Sequence, residues 1–455
     1  MPKFGGIEID MQWIILIVFS GLFLWLAPWA KTVEQFFEAK GERGRAPGVW
    51  VLTSSLVISW IFAKSITNAA NLSLAFGVVG GLSYALYYGS FWVAGVVIYK
   101  LRTKGGFLSL HHFLQQKYGQ IAVYIFSLLV GFRLFNEVWS NTMVIGSYFG
   151  EMGSGPYYGA IALFTGLTLL YTLKGGMGSS ILTDVIQMVF FGILLFIILG
   201  IILPTSDFPL SDYWQSGEWK METGMNFFFV ALIQLFSYPF HDAVLTDRGF
   251  LSDPKTSFRS FMWAGGIGFV AIFLFSVVGL HARLLGLEGQ AAVEVGKILG
   301  VGLMLLINFI MITSAASTLD SAFSSGAKLW VKDLGWVKSL TVSKGRLVMT
   351  AFALIGTLPI FFNPTILSAT TISGTMVLGL APVFLFWNYP APPIAFYLSV
   401  GAGLVIGILL TTGFWPSTWV YFNGPYGDLL SANIIGTLLS FGFFGLSSII
   451  NYVRS

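Results

Sequence analysis

The sequence predicts an all-α polytopic membrane protein with about thirteen transmembrane helices, each long enough to span the hydrocarbon of a bilayer. Three observations carry that prediction. Only 10% of the 455 residues are charged and 56% are hydrophobic, whereas a soluble globular chain carries about 25% charged residues. So few charges cannot cover a water-facing surface, so the surface must face lipid. Apolar runs recur at about 20 residues, the length that crosses roughly 30 Å of hydrocarbon. Basic residues gather on alternate loops.

Taken in order, the spans are expected at 11–30, 49–72, 76–100, 121–149, 156–173, 179–203, 225–246, 260–284, 298–327, 345–362, 365–387, 393–414 and 431–452. The first, MQWIILIVFSGLFLWLAPWA, lacks a basic leader and a small-residue cleavage site, and is expected to be a retained helix. The second holds Lys64, Ser65, Thr67, Asn68 and Asn71 inside ISWIFAKSITNAANLSLAFG. Polar or irregular backbone at membrane depth survives only where it lines a cavity or is buried in protein. In transporters such interrupted helices mark a site near the bilayer midplane. The seventh carries SYPFHD, where Pro239 is either a plain kink or a break. The fourth contains Arg133 and Glu137, spaced to stack on one helix face as an ion pair.

The loops supply the orientation. KTVEQFFEAKGERGRAP, the YKLRTKGG to QQKYG segment, TDRGFLSDPKTSFR and KLWVKDLGWVKSLTVSKGR are basic, while FGEMGSGP and FWPSTWVYFNGPYGD are not. Roughly 18 of the 24 Lys and Arg fall on the first set, about 4 on the other, and two lie within spans. The positive-inside rule then puts the N-terminus outside and the C-terminus in the cytoplasm of a plasma or inner membrane.

The chemistry concentrates in MITSAASTLDSAFSS, which follows the greasy run GVGLMLLINFI. Ser314, Ser317, Thr318 and Ser321 fall on one helical stripe, with Asp320 at its edge. Oxygen-only ligands suit a hard alkali cation. Small hydroxyl residues also serve helix packing, but an acid at membrane depth points to function. A second such acid, Asp184, lies near the cytoplasmic end of the sixth span, at a depth that would let it meet Asp320. Lys64 needs a partner: a substrate carboxylate, Asp184 or Asp320, or a cation site whose ion it replaces.

An enzyme is not expected. The chain has no cysteine and only four histidines, with no pair inside spans at ligand spacing. The Gly-rich GGMGSS follows a span rather than a strand, so it does not predict phosphate binding.

Several segments together resemble the sodium/solute symporter family, whose members carry sugars, proline, monocarboxylates, iodide, sialic acid and vitamins. YTLKGGMGSSILTDVIQ is similar to the family's GG-x-x-A-V-x-W-T-D-x-x-Q pattern. SAASTLDSAFSS resembles its eighth core helix, and TVEQFFEAKGERGRAPGVWVLTSSL its first loop and core entry. AVLTDRGFLSDPKTS resembles the Q-R-x-L-A-x-K-D loop, with Asp247 in place of Gln. The resemblance implies a LeuT-type five-plus-five inverted repeat within a single transporter domain, 1–455. The extra helix would be 11–30, the ten-helix core 49–387 and two closing helices 393–452.

The resemblance further implies a sodium ion held by the carbonyls of Ile58, Ile61 and Ser314 and the hydroxyls of Ser317 and Thr318. Relatives with a further sodium would place it at Asp184, Ser317, Asp320 and Ser321 here. Substrate would lie near Lys64, Ser65, Asn68, Tyr87, Arg133, Asn136, Asn141 and Ser237. The second core helix, GGLSYALYYGSFW, lacks the acid of sugar-carrying relatives. The expected function is therefore sodium-coupled symport of a small organic acid or amino acid by alternating access. One rival keeps the fold but makes it a proton-coupled or uncoupled carrier with Lys64 replacing a cation. Another is a membrane sensor module, though the chain ends at NYVRS with no room for a kinase. The expected partners are the solute, sodium and the bilayer, with no nucleic acid and no obligate protein partner.

Overall fold

The computed structural model describes residues 6–41, 44–205, 207–335, 339–362 and 373–454. Among these the only regular elements are helices. Eight of them are long and apolar enough to cross a membrane, and the bent pair Val49–Trp60 and Ala63–Phe76 adds a ninth. Helices also occupy the other expected spans within the described residues, but they are shorter or less apolar. The count of thirteen spans is thus not reached by length and composition. Residues 365–372 of the eleventh expected span lie outside the described residues.

The second expected span is two helices meeting at 60°. No proline or glycine causes the break. Ile61 leaves the helical region (φ −78°, ψ 72°) and Phe62 is extended (φ −63°, ψ 147°). The Phe62 carbonyl then accepts from the amides of Ser65 and Ile66, starting the second half. The Trp60 carbonyl accepts instead from Tyr88 Oη at 2.8 Å. Tertiary hydrogen bonds replace helical ones at the joint, as buried backbone requires. Ala63–Phe76 packs backbone to backbone on Pro254–Leu284, where a Cβ on Gly279 would sit 1.9 Å from the Ala70 carbonyl oxygen. Close approach through a small residue is the usual basis of packing in lipid.

The seventh expected span is also broken rather than simply kinked. Asn226–Gln234 ends before Ser237, Tyr238–His241 forms one 3₁₀ turn around Pro239, and Asp242 is extended. The Asp242 carboxylate then caps Ala243–Arg248 by accepting from the Leu245 amide at 3.1 Å. Arg248, at the end of this short helix, is thereby turned into the protein interior, with 0% exposure.

The hydroxyl-rich helix Val301–Lys328 runs through the centre. It packs against Val49–Trp60, Gln120–Ser147, Met177–Ile202 and Val342–Thr357. Every residue from Ile310 to Ala327 is buried. Met177–Ile202 begins abruptly because Gly176 adopts φ +58°, and a Cβ there would meet the Phe36 carbonyl at 2.5 Å. That turn delivers Asp184 two turns into the helix. Large apolar residues such as Leu128, Val189, Phe196, Leu347 and Leu354 are instead exposed on the outside. The chain is a helical membrane protein, apolar on its outside and through most of its core, with polar clusters buried within.

Candidate functional site

Two buried polar clusters lie on the broken helices. The first is organised by Asp184. Ser55, from Val49–Trp60, donates to its Oδ2 at 2.5 Å, and Ser317 donates to its Oδ1 at 2.5 Å. Arg248 Nη2 completes the ring, 2.9 Å from Oδ2. The same guanidinium donates to Ser321 Oγ at 2.7 Å and, through Nε, to Ser55 Oγ at 2.6 Å. Asp320 lies alongside, accepting from Ser180 (2.7 Å), Tyr171 (2.8 Å) and Thr183 (2.9 Å). Ser180 and Ser321 stand 3.0 Å apart beside Asp320, and Arg248 Nη2 joins Ser321 to Asp184.

Next to this ring, Thr318 Oγ1 donates to the Ser314 carbonyl at 3.0 Å. The Ser314 hydroxyl is buried and has no hydrogen-bond partner among the described residues. In Val49–Trp60, which packs on the same helix, the break removes the carbonyls beyond Val57 from the helical ladder, Val57's own being taken by the Ile61 amide. Ser317 and Thr318 spend their protons on other acceptors, so their lone pairs remain for a cation. This donor set of carbonyls and hydroxyls fits a hard monovalent ion. Among the described residues no group of three or more His, Asp or Glu could hold a metal.

The second cluster joins three helices. Lys64 Nζ lies 2.9 Å from Glu137 Oε1, and Arg133 pairs with the same carboxylate. Arg133 Nη2 also reaches Asp242 Oδ2 at 3.3 Å, where Trp60 Nε1 donates at 2.8 Å. Asn141 holds Glu137 Oε2 at 2.9 Å and accepts from the Lys64 amide at 3.3 Å. All four charged groups are buried, and two cations face two anions. Phe62 lies under both cations, with centroid distances of 5.0 Å and 5.2 Å.

Lys64 therefore finds a partner that the sequence reading did not weigh. Glu137 takes it, while Asp184 and Asp320 are held elsewhere. Of the three partners open for Lys64, the structure thus shows a protein acid, though neither Asp184 nor Asp320. Ser65 and Asn68 converge on Tyr84 Oη, at 3.1 Å and 3.5 Å. Tyr87 donates to Gln234 at 2.7 Å and shares with Ser65 a space of only about 10 Å³. Asn136 turns away and accepts from Trp139 at 3.1 Å, and Ser237 bonds locally to the Gln234 carbonyl. Beside Tyr238, three buried polar atoms have no hydrogen-bond partner among the described residues: Tyr238 Oη, His241 Nε2 and Arg133 Nε.

Arg248, Ser55, Ser180 and Tyr171 were missed by the sequence reading. Arg248 falls just past the last apolar residue of its span and reads as a loop cation. Its signal was the unmatched acid Asp184, since a buried carboxylate calls for a counter-charge. Toward the expected cytoplasmic side, a cavity of about 430 Å³ is lined by Glu38, His111, Asp247, Lys328 and Asp333. Lys328 bridges Asp247 (2.6 Å) and Asp333 (2.8 Å) there.

Buried polar clusters set around two broken helices, inside an apolar exterior, make up a helical membrane fold. The fold is shared with solved transporters. A substrate-bound, outward-open Na+-coupled sialic acid symporter superposes with a TM-score of 0.74 at 15% identity, covering 98% of each chain. A nucleobase-cation-symport-1 family transporter in a closed conformation gives 0.57 at 13% identity, covering 93% of this chain and 95% of that one. In sequence, sodium/glucose cotransporter 1 of Ovis aries is 26% identical over 206 residues, 43% of this chain and 29% of the relative. Solute carrier family 5 member 4A of Mus musculus is 24% identical over 188 residues, 41% and 28% respectively. The chain thus covers under a third of these relatives' own length. No family model matches. These likenesses bear out the resemblance drawn from the motifs and the LeuT-type fold that it implies.

Proposed function

We propose that the protein is a secondary transporter that couples entry of sodium to symport of a small organic solute by alternating access. The observation that carries the reading is the pairing of the broken helix at Ile61 with the buried Ser314, Ser317 and Thr318. The residues that would hold the ion are Ile58, Ile61 and Ser314 through carbonyls, and Ser317 and Thr318 through hydroxyls. A sodium ion bound there supplies positive charge that ties the two helices together. Ser55 and Ser317 hold Asp184 between the same helices, so that carboxylate registers their separation. The names of the relatives support sodium coupling.

The solute side belongs to the second cluster, where Ser65, Asn68, Tyr87 and Asn141 supply polar groups, and Tyr238, His241 and Arg133 carry spare ones. Lys64 and Arg133 are already matched by Glu137 and Asp242. A buried site with balanced charge disfavours a net anion, since an unpaired buried charge is costly. Of the two expected classes, an amino acid zwitterion therefore fits better than a monocarboxylate. The transporting core would be residues 49–387, and the membrane a plasma or inner membrane, N-terminus outside. Uptake of a panel of labelled solutes into proteoliposomes, with sodium, potassium or choline outside, tests the function. A solute accumulated only with sodium supports it; accumulation identical in all three salts sinks the coupling.

A further inference from the structure

The residues expected to hold a second sodium do not fit one, because a guanidinium is already among them. Arg248 Nη2 lies within 2.9 Å of both Asp184 Oδ2 and Ser321 Oγ, and Nε lies 2.6 Å from Ser55 Oγ. Nη2 also approaches Ser180 Oγ at 3.5 Å, and Nη1 is tied back to the Val244 carbonyl at 2.8 Å. Ser180 and Ser321 both direct their protons to Asp320. Their lone pairs, which a sodium ion would need, accept from the guanidinium instead. The remaining oxygen of Asp184 is occupied by the Ser317 hydroxyl. A metal ion entering this ring would meet a fixed positive charge in a dry interior, where like charges repel strongly. Arg248's hydrogen bonds go to Ser55, Ser180, Asp184, Val244 and Ser321, by contrast, while Thr318 donates to the Ser314 carbonyl and the Ser314 hydroxyl has no hydrogen-bond partner among the described residues.

We infer that Arg248 is a tethered cation that takes the place of a second sodium at Asp184, Asp320 and Ser321, leaving the chain with one sodium. The inference rests on the proposed sodium coupling for the ion at Ser317 and Thr318. Its own content is the exclusion of sodium from the Asp184 ring.

Equilibrium binding of labelled sodium to the purified full chain, counted per mole of protein, tests it without any solute. The wild type is expected to bind one equivalent. Arg248→Gln, purified in sodium to keep Asp184 compensated, gains one; Arg248→Lys, which keeps the charge, does not. If Arg248→Gln does not fold, the wild-type count read together with Arg248→Lys decides the matter. Two equivalents in the wild type overturn the inference. So does a folded Arg248→Gln that binds no more than wild type. Zero in the wild type with one in Arg248→Gln keeps Arg248 as the excluding cation and overturns sodium coupling; zero in both overturns both.

Discussion

Ser317 donates its proton to Asp184 at 2.5 Å, while Ser55 donates to the other oxygen of the same carboxylate at the same distance. One buried acid thus fastens the central hydroxyl helix to the first half of the broken helix. Those helices cannot separate without breaking one of the two bonds. In the proposed cycle this is the contact that sodium binding protects and sodium loss exposes.

The paired charges around Glu137 form a unit. Lys64→Met leaves two anions against one cation in a dry site, and removing one partner of a buried pair costs about 3–5 kcal/mol. Adding Glu137→Gln restores the balance of Arg133 with Asp242. Denaturant or thermal unfolding in detergent should therefore show the double variant more stable than the single, with a coupling of about 1–3 kcal/mol. Additive losses would mean that Lys64 and Glu137 do not act together.

Ser65 and Asn68 meet at Tyr84 Oη, in the cluster proposed to receive the solute. Once a transported solute is in hand, Ser65→Ala and Asn68→Ala should each raise its half-saturation concentration about 2- to 10-fold, the loss of a hydrogen bond worth about 0.5–1.5 kcal/mol. The stabilisation by sodium alone should stay unchanged. A variant that loses the sodium response and keeps solute affinity would place the solute elsewhere.

His111 lines the 430 Å³ cavity outside the spans, 3.9 Å from Asp333. Burial pushes its imidazole below the ordinary value of 6.5, and Asp333 offsets only part of that. A base with a depressed folded pKa adds stability that is present above its unfolded pKa. That stability is lost as pH falls below 6.5 and through the folded pKa, because the unfolded chain then binds the extra proton. Melting temperature should fall over that acid window, and His111→Gln should flatten the fall. An unchanged slope would remove His111 from the pH response.

What the sequence made legible follows from which features are local. The break near Ile61 was readable because Lys64, Ser65, Thr67 and Asn68 cannot face lipid. The pair of Arg133 with Glu137 was readable because four residues is one helical turn. The third member of that pair, Lys64, arrives from another helix, turned by a 60° bend that no local residue dictates. Asn136 is one residue from Glu137, yet bonds to Trp139 on another face, since one step rotates a helix by about 100°. Arg248 escaped because hydropathy ends a span at its last apolar residue, whereas the chain re-enters the interior through the Asp242 cap. Long-range pairing of charge was the part hidden from spacing.

The central claim is that Ser317 and Thr318 hold sodium. The direct measurement is the melting temperature of the purified protein against sodium concentration, with potassium keeping ionic strength fixed. An ion that binds only the folded state stabilises it by about 2.7 kcal/mol at one hundred times its dissociation constant. A saturable, sodium-specific rise is expected in wild type and is absent in the Ser317→Ala/Thr318→Ala double variant. A wild-type curve that is flat in sodium, or a rise that the double variant retains, would contradict it.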